Sequence, residues 1–298
     1  MSAPETAAAP AAAPAAAPRG PLALRDARFL ASELRLVMTR RRNLVMLAVL
    51  ALATIAIGVA IEVTSPDPGE ISPGEGPPFL ASITENGLFL AFTALVASLP
   101  VFLPLAVSVV SGEAIAGEAS TGTLRYLLVT PVDRTRLLAV KLVATAFYGL
   151  VAAMVVVITG VVVGALLFPV GDITLLSGTT VSYGEGLLRL LGVALYVTAM
   201  LTTVAALGLL VSTFTEVPVA AMSATAITVV LVEILQAVPQ LSAIHPWLFT
   251  TAWLDFGDLL RDPVVLDGVV RGLALQAGWI AVLLALAWAR LTSKDVTS

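Results

Sequence analysis

The charged residues of one polar segment, 111–141, are the strongest candidates for chemistry in this sequence. Glu113 and Glu118 precede the turn Ser120-Thr121-Gly122-Thr123, and Arg125 stands among the apolar side chains that follow it. Mixed charge and apolar side chains on two elements separated by a glycine turn suit the groove of a partner protein. An amphipathic loop that lies on the membrane surface explains the same residues equally well.

The second half of this segment is predicted to begin a long helix. Pro131 ends the first element, and Asp133 can cap the helix that follows. Arg134, Arg136 and Lys141 then extend their charged groups towards the aqueous side of that helix.

Several patterns of catalysis and ligand binding are absent from the sequence. It contains no Cys and a single His, His245, so it offers neither thiolate ligands nor a His cluster for a metal. The spacings GxSxG, HExxH and GxxxxGK[ST] do not occur. The chain is therefore expected to hold no metal and to bind no nucleotide phosphates itself.

The elements that position the polar segment are apolar helices. Hydrophobic residues make up 58% of the chain and charged residues 12%, with a mean hydropathy of +0.99. Uncharged runs of about 20 residues are long enough to cross the hydrocarbon core of a bilayer. The sequence predicts an all-α, polytopic membrane protein with six spans, at about 44–63, 88–110, 137–168, 187–211, 217–238 and 273–291.

The distribution of basic residues predicts the orientation of these spans. All but three of the 16 basic residues lie in the tail before the first span, in the loop 111–136, at the start of the third span or after the sixth. The other side has only Arg189, Arg261 and Arg271 among many acidic residues. The positive-inside rule therefore places both termini in the cytoplasm.

The segments outside the spans have separate predictions. Residues 1–21 form an Ala/Pro-rich tail that is expected to be disordered, and residues 293–298 a short cytoplasmic tail. Residues 22–42 alternate apolar and charged positions at helical spacing, which predicts an interfacial amphipathic helix. Its charged residues, as candidates for a cytoplasmic interface, are Arg28, Glu33, Arg35 and Arg40. One or two short helices in the external interface are expected within 239–270.

Three features inside the spans are candidates for a substrate path or for packing. Pro100 and Pro104 predict a kink or a partly unwound stretch in the second span. Glu233 is an acidic residue within a predicted span; it could face a polar cavity, although a position at the external interface is favoured by its nearness to Pro239. The Gly160-Val-Val-Val-Gly164 pattern permits close contact with another helix, within or between subunits.

The polar segment resembles the signature of ABC-2 type transporter permeases. The resemblance rests on an acidic pair, a Gly-Thr-Leu turn, a Leu pair, a Pro and basic residues in the loop between spans two and three. In this chain these are Glu113, Glu118, Gly122, Thr123, Leu124, Arg125, Leu127, Leu128, Pro131, Arg134 and Lys141. After Glu118 comes Ala-Ser-Thr, where family members often have further charge.

The resemblance implies a transport subunit rather than an enzyme. It implies a pairing with a second permease, identical or related, and with two copies of a separate ATPase that binds ATP and Mg²⁺. Residues 111–130 would be the coupling element in a cleft of that ATPase, and residues 24–42 would brace it. It also implies that the protein lies in the plasma (inner) membrane, that it takes part in export and that it binds no nucleic acid. Apolar composition favours a hydrophobic or amphipathic cargo. A secondary transporter or channel, a membrane enzyme, and a membrane anchor for a cytoplasmic partner are the alternatives.

Overall fold

The computed structural model describes residues 22–64, 86–122 and 134–293, and this part of the chain is mostly helical. The α-helices are α1 Leu22–Thr39, α2 Arg41–Thr64, α3 Leu88–Ser98, α4 Phe102–Ser120, α5 Arg134–Leu167, α6 Tyr183–Ser212, α7 Pro218–Ala237 and α8 Asp267–Ser293. Six of these, α2 and α4 to α8, are long and apolar enough to cross a membrane. The protein is therefore a multi-pass membrane protein, as the composition predicts.

The second predicted span is two helices, α3 and α4, with a break at Leu99–Val101. The last bond of α3 runs from the Leu99 amide to the Leu95 carbonyl, and the first bond of α4 runs from the Leu105 amide to the Val101 carbonyl. Pro100 has no amide hydrogen to continue the helical ladder, and Pro104 occupies the first turn of α4, where no donor is needed. The interruption that the prolines predict is present in the structure.

The boundary predicted after residue 110 is too early. Helix α4 continues through residues 111–120, which the sequence assigns to a loop, and ends only at the turn of Thr121 and Gly122. Gly122 has a φ of +71°, a conformation that suits glycine and stops the helix. Glu113 and Glu118 therefore lie on a helix.

Helix α3 lies in the centre of the bundle and packs closely against α5. A Cβ atom on Gly160 would lie 2.6 Å from Ala91 Cα, and one on Gly164 would overlap the Gly87 carbonyl. The two glycines of the Gly-xxx-Gly pattern thus form a contact within this chain. Backbone approach of this kind gives short helices strong van der Waals contact inside a membrane.

One end of the bundle, here called the hairpin end, is closed by short elements. A two-stranded antiparallel hairpin pairs β1, Ile173–Thr174, with β2, Thr180–Val181, in the register Ile173 to Val181. Three 3₁₀ helices follow α7, at Pro239–Leu241, His245–Trp247 and Asp255–Leu260. The sequence predicts one or two short helices in this region and no hairpin, so the structure corrects both points.

Polar side chains hold the hairpin end together mainly through backbone carbonyl groups. Arg189 donates to the carbonyls of Leu259 and Arg261 at 3.1 and 2.7 Å, and pairs with Glu185 at 2.7 Å. Asn86 donates to the carbonyls of Gly171 and Asp172. These contacts fix the loops on the ends of α3 and α6.

Candidate functional site

The opposite end of the bundle, here called the basic end, contains the candidate site. Six residues form it: Glu33, Arg40, Arg42, Glu113, Glu118 and Lys141, here called the ionic cluster. They come from α1, the junction between α1 and α2, the start of α2, the last turns of α4 and the second turn of α5. Residues separated by more than one hundred positions in the sequence are thereby brought together.

The junction between α1 and α2 positions Glu33 and the arginines. Asn43 donates its side-chain amide to the Val37 carbonyl at 2.8 Å, and the Tyr148 hydroxyl donates to the Asn43 carbonyl at 3.0 Å. The guanidinium of Arg136 lies 5.9 Å from the centre of the Phe29 ring. These contacts attach both ends of the junction to α5, so α1 cannot swing freely from the bundle.

Lys141 is the buried centre of the ionic cluster. Its ammonium group is 2.9 Å from Glu33 Oε2 and pairs also with Glu118. The side chain of Lys141 is only 4% exposed, and those of Glu33 and Glu118 are 10% and 17% exposed. A buried cation between two carboxylates replaces its hydration by two charge-assisted hydrogen bonds. This triad ties α1, α4 and α5 at a single point.

Glu113 forms the more exposed half of the cluster. Its carboxylate lies 2.5 Å from Arg40 and pairs also with Arg42, whose side chains are 38% and 43% exposed. Solvent therefore screens these two pairs, and each arginine can be replaced by water at low cost. The sequence analysis missed Arg42; the signal was its place two positions after Arg40 at the start of an apolar span.

The end of α4 leads directly from the ionic cluster to the polar turn. The hydroxyls of Ser120 and Thr121 both donate to the Gly117 carbonyl, at 2.9 and 3.1 Å, and so cap the last carbonyls of the helix. The five predicted coupling residues that follow Gly122 lie outside the described residues: Thr123, Leu124, Arg125, Leu128 and Pro131.

The remaining residues singled out in the sequence lie apart from the ionic cluster. Arg134 donates to the Leu291 carbonyl at 2.8 Å and so joins the start of α5 to the end of α8. Arg28 and Arg35 are exposed on α1. Pro100 is exposed at the helix break, whereas Pro104 is buried in the first turn of α4 and Glu233 is half-buried near the hairpin end of α7.

The ionic cluster consists of two triads of ion pairs. Arg40 and Arg42 pair with Glu113, and Glu33 and Glu118 pair with Lys141. Among the residues that the structure describes, no group of His, Asp and Glu fits a metal ion. Paired charges of this kind can exchange partners when a helix end moves.

Comparison with protein families identifies the pattern. A family model described as "ABC-2 family transporter protein" matches residues 37–232, from the end of α1 to the later turns of α7. The match includes every residue of the ionic cluster except Glu33. No curated protein matches the chain.

Proposed function

The chain belongs to the ABC-2 family of transporter proteins, and we propose that it is the permease subunit of an ATP-driven exporter, coupled to a separate ATPase through residues 111–130. The observation that carries this proposal is the ionic cluster at the end of α4. Three charged residues of the family-like segment and three from the N-terminal region form two neighbouring triads of ion pairs there. Membership of the family implies association with an ABC ATPase.

The proposed mechanism uses α4 as a lever. This helix of 19 residues is about 28 Å long at 1.5 Å per residue. Its far end is the break at Leu99–Val101, and its near end continues into the proposed docking segment. A pull by the ATPase on that segment would move α4 as a unit, because the break allows the helix to pivot. The ionic cluster would carry the same pull to α1 and α5.

The assembly and its setting belong to the same proposal. ATP and Mg²⁺ would bind on two ATPase subunits, and two permeases, identical or related, would enclose the transport path. The chain would lie in the plasma (inner) membrane. Both termini would be cytoplasmic, because basic residues concentrate at the basic end. Helix α1 would lie in the cytoplasmic interface with Arg28 and Arg35 towards lipid phosphates. The cargo would be hydrophobic or amphipathic.

Co-purification tests the partner. The full chain, extracted from its native membrane in a mild detergent, is expected to carry an ABC ATPase in stoichiometric amount. Chains with Arg125→Gln or Glu118→Gln are expected to insert into the membrane normally. They should reduce the conformational change that ATP drives in the permease of the complex. The matched control is Glu185→Gln, which removes a carboxylate from an ion pair at the hairpin end. Extraction without any ATPase would contradict the proposal.

Cysteine labelling tests the orientation. Because the chain has no Cys, single substitutions report one site each. Thr179→Cys at the hairpin end is expected to react with an impermeant maleimide on intact cells, and Ser120→Cys at the basic end only after permeabilisation. Both positions are exposed. The reverse pattern would overturn the assignment of the basic end to the cytoplasm.

A further inference from the structure

The hydroxyl of Ser212 is inserted into the backbone of α4. Ser212 is the last residue of α6 and is 1% exposed. Its Oγ accepts hydrogen bonds from the amides of Ile115 and Ala116 at 3.1 and 2.7 Å, and donates one to the Gly112 carbonyl at 2.7 Å. The single donor and both acceptor positions of the hydroxyl are therefore used.

The bonded groups are partners that an α-helix normally joins to each other. In a regular helix the Ala116 amide would donate to the Gly112 carbonyl, four residues earlier. Ser212 also bonds to both of these groups. A side chain that enters the helical ladder in this way bends or weakens the helix locally.

Close packing allows a residue as short as serine to reach the backbone. A Cβ atom on Gly112 would lie 2.6 Å from the Met222 amide nitrogen of α7, and one on Gly208 would overlap the side chain of Ser111. Helix α4 is thus held between α6 and α7 at backbone distance. The contact occurs within the two turns that contain Glu113 and Glu118.

Ser212 and the ionic cluster contact these two turns of α4 on different faces. At 100° per residue, Gly112, Ile115 and Ala116 lie on one face of α4, whereas Glu113 and Glu118 project from other parts of its circumference. The cluster joins this region to the α1–α2 junction and to α5, and Ser212 joins it to α6.

Two arrangements of these groups satisfy every hydrogen bond. In the observed one, Ser212 bonds to the backbone of Gly112, Ile115 and Ala116. In the other, these backbone groups bond only within α4, and the Ser212 hydroxyl donates to the Gly208 carbonyl of its own helix, a common bond for serine. Because neither arrangement leaves a buried polar group unpaired, the exchange requires little free energy, as a two-state element does.

We propose that Ser212 is a positioning residue that engages α4 with α6 and so passes movement of the coupling segment into the rest of the bundle. This inference rests on the proposed function. In the engaged arrangement the two helices move together; in the released one α4 can shift relative to α6 while its own ladder stays intact.

Spin-label distances test this role. Labels are placed on Ser120→Cys, at the end of α4, and Val217→Cys, after α6, in the permease–ATPase complex in lipid nanodiscs. Labelled chain is diluted with unlabelled chain so that distances within one copy dominate. Ser212→Ala removes the bridging hydroxyl and Ser212→Thr keeps it. Ser111→Ala is the matched control, since it deletes a buried hydroxyl that bonds within α4 itself.

The expected result separates positioning from general stability. Each hydrogen bond changes a two-state population about fivefold, and Ser212 makes three in the engaged arrangement and one in the released arrangement. Ser212→Ala is therefore expected to shift the distance distribution towards the released arrangement. It should reduce the change of this distribution on addition of ATP and vanadate by a factor of about five or more, while ATP hydrolysis continues. Ser212→Thr and Ser111→Ala should respond as the unmodified chain does.

Two results would overturn the inference alone. One is an unchanged nucleotide response in Ser212→Ala, whatever its thermal stability. The other is an equal loss in Ser111→Ala. If the unmodified chain binds no ATPase, the proposed function fails as well, and that outcome is visible before any variant is measured.

Discussion

At the basic end of the bundle, the cations of the ionic cluster bind carboxylates, whereas at the hairpin end Arg189 divides its hydrogen bonds between one carboxylate and two backbone carbonyl groups. Lys141 and the arginines of the ionic cluster connect helices that are distant in sequence. Arg189 instead holds a loop on the start of α6, with help from a single carboxylate, Glu185.

This difference indicates which end is built to rearrange. A carboxylate can change its cationic partner without any change in backbone conformation, so a network of ion pairs has several related arrangements. A carbonyl group in a loop can lose its donor only if the loop moves or water replaces the donor. We therefore expect the basic end to move during transport and the hairpin end to stay fixed.

Removal of Lys141 should have the largest effect on stability. Lys141→Met leaves Glu33 and Glu118 buried without their cation, which is expected to cost about 3–5 kcal/mol of unfolding free energy. Arg35→Met, at an exposed position of α1, is the control and should change stability by less than about 0.5 kcal/mol. The unfolding midpoint in nanodiscs measures both. A Lys141→Met protein as stable as its parent would mean that the triad is not buried in the folded protein.

A methyl group on Gly164, near the hairpin end, should have the second largest effect on the free energy of unfolding. Gly164→Ala places Cβ on the Gly87 carbonyl, and overpacking of this kind costs about 1–3 kcal/mol or more. Gly171→Ala is the matched control, because that position has open space for a Cβ atom. Yield of folded protein and the unfolding midpoint report the effect. Equal behaviour of the two variants would argue against direct backbone contact of α3 and α5.

Substitution of Arg189 should affect only its own end of the molecule. Arg189→Met deprives the carbonyls of Leu259 and Arg261 of a donor, at an expected cost of about 1–3 kcal/mol. Hydrogen exchange should accelerate in residues 255–266 and remain unchanged in α1 and in residues 111–120. Faster exchange at the basic end would show that the two ends are not independent.

Substitution of Glu113 should have the smallest effect on stability. Its partners Arg40 and Arg42 are more than one third exposed, so Glu113→Gln is expected to cost less than about 1 kcal/mol. Its effect on nucleotide response should nevertheless exceed that of Arg189→Met, because Glu113 lies on the proposed lever. We expect Glu113→Gln to leave the fold stable and to weaken the conformational response to nucleotide. A larger loss of that response in Arg189→Met than in Glu113→Gln would mean that Glu113 has no part in coupling.

Much of the fold follows from local sequence signals. Long uncharged runs are sufficient to place six spanning helices, because a bilayer accepts little else. Pro100 places the break in the second span for an equally local reason. The extension of α4 to Ser120 was not predicted. Charged residues such as Glu113 and Glu118 are typical of a solvated loop, and the sequence does not show that they have cationic partners. The hairpin at 173–181 gave no signal, because each strand has only two residues.

The candidate site was predicted as a set of residues but not as an arrangement. Glu33, Arg40, Glu113, Glu118 and Lys141 stand out in the sequence as charges beside apolar spans. Which of them pair depends on how α1 folds back on α5, and Arg42 and Ser212 become visible only through those contacts.

The sequence alone determined that the chain spans a membrane six times and contains a polar segment typical of its family, because hydropathy and short motifs are properties of consecutive residues. Tertiary structure decided that the polar segment begins as a helix, that Glu113 and Glu118 bind cations from the α1–α2 junction, α2 and α5, and that a serine from α6 bonds to its backbone. Such contacts join residues up to 108 positions apart. They depend on the relative placement of helices, which packing of the whole bundle sets and no local pattern encodes.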